Sequence, residues 1–137
     1  MPQTITRGYK ALLAEANAKI ETVTPQEALR RAGEGALLVD LRDPRELERD
    51  GRVPGAFHCP RGMLEFWIDP ESPYFKPVFG EDRAFVFFCA GGWRSALSAA
   101  TAQDMGLNPV AHVEGGFKAL REAGAPVEVP SAYPTVL

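Results

Sequence analysis

The sequence predicts an α/β domain built on a mostly parallel sheet, and three observations carry that expectation. Residues 36–41 and 84–88 form short, nearly continuous apolar runs, as expected of strands covered by helices on both faces. Segments with helical spacing and recognisable caps stand between the strand candidates. Gly-bearing turns separate the two kinds of segment, so strand and helix alternate along the chain in the manner of crossover-connected parallel strands.

The elements follow in order. Residues 8–19 (GYKALLAEANAK) read as a helix with Leu12, Leu13 and Ala16 on one side, expected to be an N-terminal extension over 1–21 that precedes a main domain over 22–137. Thr24 reads as an N-cap, with Pro25 at the first helical position and Glu27 closing a capping box. That helix is expected to reach about Arg31, with Gly33 and Gly35 ending it. The run 36–41 is apolar until Asp40, which sits at the carboxyl end of the strand, and Asp43 with Pro44 opens a short helix to about Arg49. Gly51, Pro54 and Gly55 then turn the chain into a short strand over 56–58. Segment 61–80 carries Met63, Leu64, Phe66, Trp67, Tyr74, Phe75 and Phe79 with three prolines, and reads as one short helix and a packed loop. A strand over 84–88, a helix over 95–105 stopped by Gly106, a strand over 110–113 and a helix over 117–122 complete the alternation, followed by a Pro-containing tail.

Length and composition narrow the function classes. A chain of 137 residues with 45% hydrophobic content can bury one core and is short for two. Its two cysteines, Cys59 and Cys89, are too few for a disulfide framework and read as free thiols of a reducing compartment. Fifteen Lys and Arg against 18 Asp and Glu give a net charge of −3, without the basic surface that nucleic acid requires. The opening residues MPQTITRGYK lack the apolar run of a secretory signal, and no segment approaches a membrane-spanning helix. The expectation is a cytoplasmic protein without nucleic-acid or membrane partners.

The chemistry concentrates at Cys89, in Phe87-Phe88-Cys89-Ala90-Gly91-Gly92-Trp93-Arg94-Ser95-Ala96. A cysteine between a buried strand and a helix start lies at the carboxyl edge of the sheet, where open α/β sheets hold their ligands. Paired glycines permit a loop whose amides converge into an anion-binding nest, and the helix adds its positive end. With Arg94 as a fixed cation, the thiol pKa is expected to fall from about 8.5 into the range of roughly 3.5–7.5. The alternative is that Cys89 is a small apolar residue closing a strand.

Here the sequence resembles the rhodanese-like domains, over about residues 22–127. The loop from Cys89 to Ser95 resembles that family's active-site loop, and residues 39–47 (VDLRDPREL) resemble its upstream motif. Residues 51–56 (GRVPGA) resemble its Gly-His-Ile-Pro-Gly-Ala motif, with Arg52 in the His position. Gly115-Gly116-Phe117 and residues 123–127 (AGAPV) resemble its closing motif, with Leu120 where Trp is common. The resemblance implies a five-stranded parallel sheet with helices on both faces. It implies a cycle in which Cys89 takes a sulfane sulfur from a small donor such as thiosulfate and yields it to a thiol or cyanide acceptor, or to a thioredoxin-like protein. Ala90, Gly91, Gly92, Trp93, Arg94 and Ser95 would bind the transferred group, and neither a metal nor an organic cofactor is required.

The remaining candidates have competing readings. Asp40 can orient the loop or pair with an arginine, or be a plain turn carboxylate. Arg42 can draw in anionic donors, or be solvated or structurally paired, and Arg61 is a weaker candidate of the same kind. His58 and His112 have no ligand spacing around them and read as structural. Cys59 reads as a buried residue, with a resolving thiol as the alternative. Segment 61–80 is read as ordinary core packing or as one wall of the Cys89 pocket. Two other function classes suit the fold: a cysteine phosphatase or arsenate reductase, and a non-catalytic module that recruits partners. The loop from Cys89 through Arg94 spans six residues, a tight ring suited to a single terminal sulfur rather than a tetrahedral oxyanion.

Overall fold

Successive side chains of a strand point to opposite faces, and the central strands of this chain are apolar on both. In the computed structural model, which describes residues 1–129, β2 (Leu37–Asp40), β4 (Phe85–Phe88) and β5 (Val110–Val113) are buried along their whole length. Leu37, Val39, Phe85, Phe87 and Val110 join one core, and Leu38, Val86, Phe88, Ala111 and Val113 join another on the opposite face. The five strands are all parallel, in the order β1-β5-β4-β2-β3.

The helices divide between the two faces. The first core is closed by α1 (Tyr9–Lys19), α4 (Leu64–Ile68) and α5 (Trp93–Met105), the second by α2 (Pro25–Gly33) and α6 (Gly116–Glu122). The remaining helix, α3 (Pro44–Asp50), follows β2 and buries Leu47. Ala16 of α1 and the adjoining Ile20 are part of the first core, and α1 packs along α5. Residues 130–137 of the expected tail lie outside the described residues.

Several local expectations are corrected. A strand absent from the sequence reading, β1 (Glu21–Val23), pairs with β5 at the edge of the sheet. It has one buried residue, Val23, and so no apolar run to betray it. The box at Thr24 is half made: its hydroxyl accepts from the Glu27 amide, but the Glu27 carboxylate turns to Arg30 and Arg31 instead of returning to the cap. The complete box forms at α3, where Asp43 caps Arg45 and the Glu46 side chain accepts from the Asp43 amide. Segment 61–80 holds two 3-10 turns, Arg61–Met63 and Pro77–Gly80, besides α4. Helix α5 begins at Trp93, two residues earlier than its apolar spacing indicated, because Gly92 takes the left-handed conformation with φ 117° that lets the chain leave β4 and turn at once.

Leu120, in the position where the resemblance places a Trp, is fully buried in the second core. Leu120→Ala is expected to cost about 2–5 kcal/mol, as buried leucine truncations do. Urea denaturation should show a lower midpoint with an unchanged slope.

Candidate active site

Two glycine conformations shape the loop after β4. Gly92 ends the loop as the N-cap of α5, and Gly116, with φ 64°, opens α6 against the loop's back. A Cβ on Gly116 would lie 2.5 Å from the carbonyl oxygens of both Cys89 and Ala90. The Phe117 amide donates to the Cys89 carbonyl at 2.7 Å. Cys89 is therefore pinned from behind by backbone alone.

Its sulfur faces the other way. The thiol is 1% exposed and sits in the wall of a cavity of about 280 Å3 lined also by Gly91, Trp93 and Arg94. The amides of Gly92 and Ser95 donate to Sγ at 3.1 and 3.4 Å, and α5 directs its N-terminus at the same atom, so negative charge on sulfur is stabilised by fixed dipoles. Trp93 is 62% exposed and packs against Tyr9 of α1, ring centroids 4.9 Å apart, at the rim.

Arg94 is not the free cation the sequence suggested. Its two terminal nitrogens hold the Glu46 carboxylate at 2.6 and 2.9 Å. That pairing keeps the Glu46 carboxyl down at about 2 despite partial burial, with the bond to the Asp43 amide helping. The Arg94 pKa is raised chiefly by Glu46, with a smaller contribution from Cys89. The loop's positive field thus comes from amides and the helix end more than from a net side-chain charge.

Asp40 and Arg42 lie behind the loop. Arg42 is 1% exposed. It holds the Asp40 carboxylate through Nε and Nη2, donates to the Gly51 carbonyl, and lies 4.0 Å over the Phe117 ring. Neither residue lines the Cys89 cavity, and a sealed guanidinium cannot attract an anion from solvent. His58 is bonded to the Arg42 carbonyl. Arg61 pairs with Glu65.

Sequence reasoning missed three participants. Glu46 was legible as the fourth residue of an Asp-Pro-Arg-Glu box. His112 and Asn17 were not, because they come from separate elements, β5 and α1, that meet only in the fold. The Ser95 hydroxyl stands 3.6 Å from Sγ and 3.0 Å from His112 Nδ1, while Asn17 Oδ1 and Thr22 Oγ1 approach His112 Nε2 at 3.2 and 3.1 Å.

The family model of the rhodanese-like domain matches residues 24–123. The chain belongs to the rhodanese-like domain family. A mouse protein named thiosulfate sulfurtransferase/rhodanese-like domain-containing protein 3 is 28% identical over 87 residues, 60% of this chain and 55% of that protein. The rhodanese-like chain thus spans about half the length of that curated relative. A solved Rhodopseudomonas palustris protein of unknown function, described as a possible tyrosine phosphatase, is 66% identical, with a TM-score of 0.88 over 93% of this chain and 99% of its own. A rhodanese-related protein of Thermoplasma volcanium shares the fold at 24% identity, with a TM-score of 0.64 over 80% and 98% of the two chains.

The second thiol of this rhodanese-like domain is inert by position. Cys59 is 0% exposed, and burial pushes its thiol up to about 12, which leaves almost no thiolate to resolve a persulfide. At about pH 8 iodoacetamide should label Cys89 alone in the folded protein and both cysteines in urea, as read by intact mass. Labelling of folded Cys59 at a comparable rate would restore the resolving-thiol reading.

Two further outcomes test the frame of the site. Gly116→Ala forces a left-handed alanine, at about 1–3 kcal/mol, and drives its methyl into the Cys89 and Ala90 carbonyls. Both the thermal midpoint and the Cys89 alkylation rate should fall. Glu46 has a depressed carboxyl pKa, so its contribution to stability is present above about 4.5 and lost as pH falls toward about 2. Glu46→Gln should be less stable than the wild type at neutral pH and show a shallower loss over that acid window in denaturation curves.

Proposed function

We propose that this rhodanese-like domain is a sulfurtransferase that carries a sulfane sulfur on Cys89. The observation that carries the reading is the pair of amides aimed at Sγ from a six-residue loop at a helix start. The cavity in front of the sulfur accommodates a donor of thiosulfate size. The name of the mouse relative gives independent support.

The chemistry balances without an outside redox partner. The Cys89 thiolate attacks the outer sulfur of thiosulfate, an S–S bond forms to Sγ, and the bond to the sulfonate sulfur breaks with its electron pair leaving as sulfite. The terminal sulfur of the persulfide then holds the negative charge within reach of the loop amides. A thiol, cyanide or a thioredoxin-like protein attacks that terminal sulfur, and Cys89 departs as thiolate. Trp93 and Tyr9 form the apolar rim against which an acceptor rests.

A phosphatase reading has one specific observation in its favour, the description of the Rhodopseudomonas palustris relative. Two features weigh against it. A tetrahedral oxyanion needs a wider ring of amides, and the guanidinium fork that would clamp it is already filled by Glu46.

Incubation with thiosulfate should add the mass of one sulfur atom to the wild type and none to Cys89→Ser, whose hydroxyl is a far weaker nucleophile. Thiosulfate-to-cyanide turnover should fall by about a thousandfold or more in that variant, in line with removal of a covalent nucleophile. Aryl phosphate hydrolysis should be negligible. Efficient phosphatase turnover with no sulfur on Cys89 from any donor would overturn the assignment.

A further inference from the structure

The hydrogen-bonded line from Cys89 through Ser95 to His112 ends on α1, outside the matched family region. Its direction is fixed by groups with a single role. The Asn17 Nδ2 donates to the Leu13 carbonyl at 3.0 Å, so the Asn17 Oδ1 is the atom that faces His112. An amide oxygen only accepts, so His112 Nε2 carries the ring proton. Nδ1 is left with its lone pair pointing at the Ser95 hydroxyl, whose one proton has two acceptors within reach, Nδ1 at 3.0 Å and the Gly92 carbonyl at 3.3 Å. Donated to the nearer Nδ1, it leaves the oxygen free to accept from the Cys89 thiol.

We propose that His112 is the proton acceptor for Cys89, acting through the Ser95 hydroxyl with Asn17 holding the imidazole in the required tautomer. This rests on Cys89 being the nucleophile. The step conserves protons: the Sγ–H bond breaks as the proton passes to Ser95 Oγ, and the hydroxyl's own proton passes to His112 Nδ1. The product is a thiolate receiving a hydrogen bond from Ser95, which in turn accepts one from the imidazolium. When the acceptor has removed the sulfur, the same two transfers in reverse restore thiol and neutral ring. His112 is thus a positioning and proton-holding residue that never touches the substrate.

The surroundings suit that task. His112 is 4% exposed, and burial lowers its pKa, so the ring rests neutral; the same burial disfavours the imidazolium, a cost that the Glu114 carboxylate partly offsets. It lines a second cavity with Asn17, Thr22 and Glu114, and Gly91 and Trp93 wall both this cavity and the one holding Cys89. Protons can therefore exchange with solvent without passing through the substrate cavity. Among the described residues, the titratable groups facing the ring are Glu114, in the turn that follows β5, and, through Ser95, Cys89. Around them β1 presents Thr22 and β4 presents Phe87, while Lys19 of α1 is paired with Asp104, Glu21 with Arg31 and Arg94 with Glu46.

Two variants separate proton holding from mere support. His112→Asn keeps a polar group opposite Ser95 but cannot be protonated. Asn17→Asp, on an exposed helix surface, places a carboxylate on Nε2–H and favours the imidazolium. Cys89 alkylation by iodoacetamide and thiosulfate turnover are measured against pH for both variants and for the wild type. His112→Asn should move the rising limb of both profiles to higher pH, with a loss of at least about tenfold at neutral pH that alkali restores, a modest share of what a general base contributes. Asn17→Asp should move the limb the opposite way. Limbs that superimpose on the wild type, or a uniform loss at every pH, would overturn the relay while leaving the Cys89 assignment intact. Wild-type turnover in Cys89→Ser would instead remove the foundation of both.

Discussion

A charged pair sealed inside the protein, Asp40 with Arg42, is what the region behind the Cys89 loop is assembled around. Arg42 reaches four elements at once: the end of β2 through Asp40, the Gly51 carbonyl closing α3, the Phe117 ring of α6, and, through its own carbonyl, His58 of β3 (Phe57–His58). Phe117 in turn holds the Cys89 carbonyl. Stripping one partner from such a pair leaves an uncompensated buried charge, typically at about 3–5 kcal/mol. The pair is therefore a weak source of net stability, yet removing either partner alone is costly.

On the opposite face of the sheet a second polar cluster mirrors the first. By strand alternation Asp40 belongs with the α2/α6 face, whereas His112 belongs with the α1/α5 face and meets Ser95, Asn17 and Thr22 there. Cys89 emerges between the two. The loop is thus held through its carbonyl from one side and through its sulfur from the other, which explains how a segment containing two consecutive glycines presents two amides to a single atom. Such preorganisation supplies charge stabilisation with no rearrangement at the moment of reaction.

Much of this was legible in the sequence. The central strands announced themselves through apolar runs, and the caps at Thr24 and Asp43, the stop at Gly106 and the Cys89 loop all rest on local chemistry. What escaped was non-local. Strand β1 exists because β5 offers it a partner, and its own three residues contain no strand pattern. Arg94 was read as a bare cation because its neutralising carboxylate lies 48 positions away. For Arg42 the sequence left anion attraction and structural pairing both open, because nothing in its neighbours foretells that a guanidinium there is enclosed and paired with Asp40. His112 looked structural for the same reason, as its partners belong to α1, β1 and α5.

The two outermost strands of the sheet are also its shortest, β1 with three residues and β3 with two. A long, flat border would offer unpaired amides and carbonyls as a template for a foreign strand, and brevity at the border is one way proteins avoid that hazard. Here it leaves little backbone on which another chain can zip up. Strand addition is thereby disfavoured as a mode of association, and encounters with other molecules are directed to the side chains displayed where the strands end.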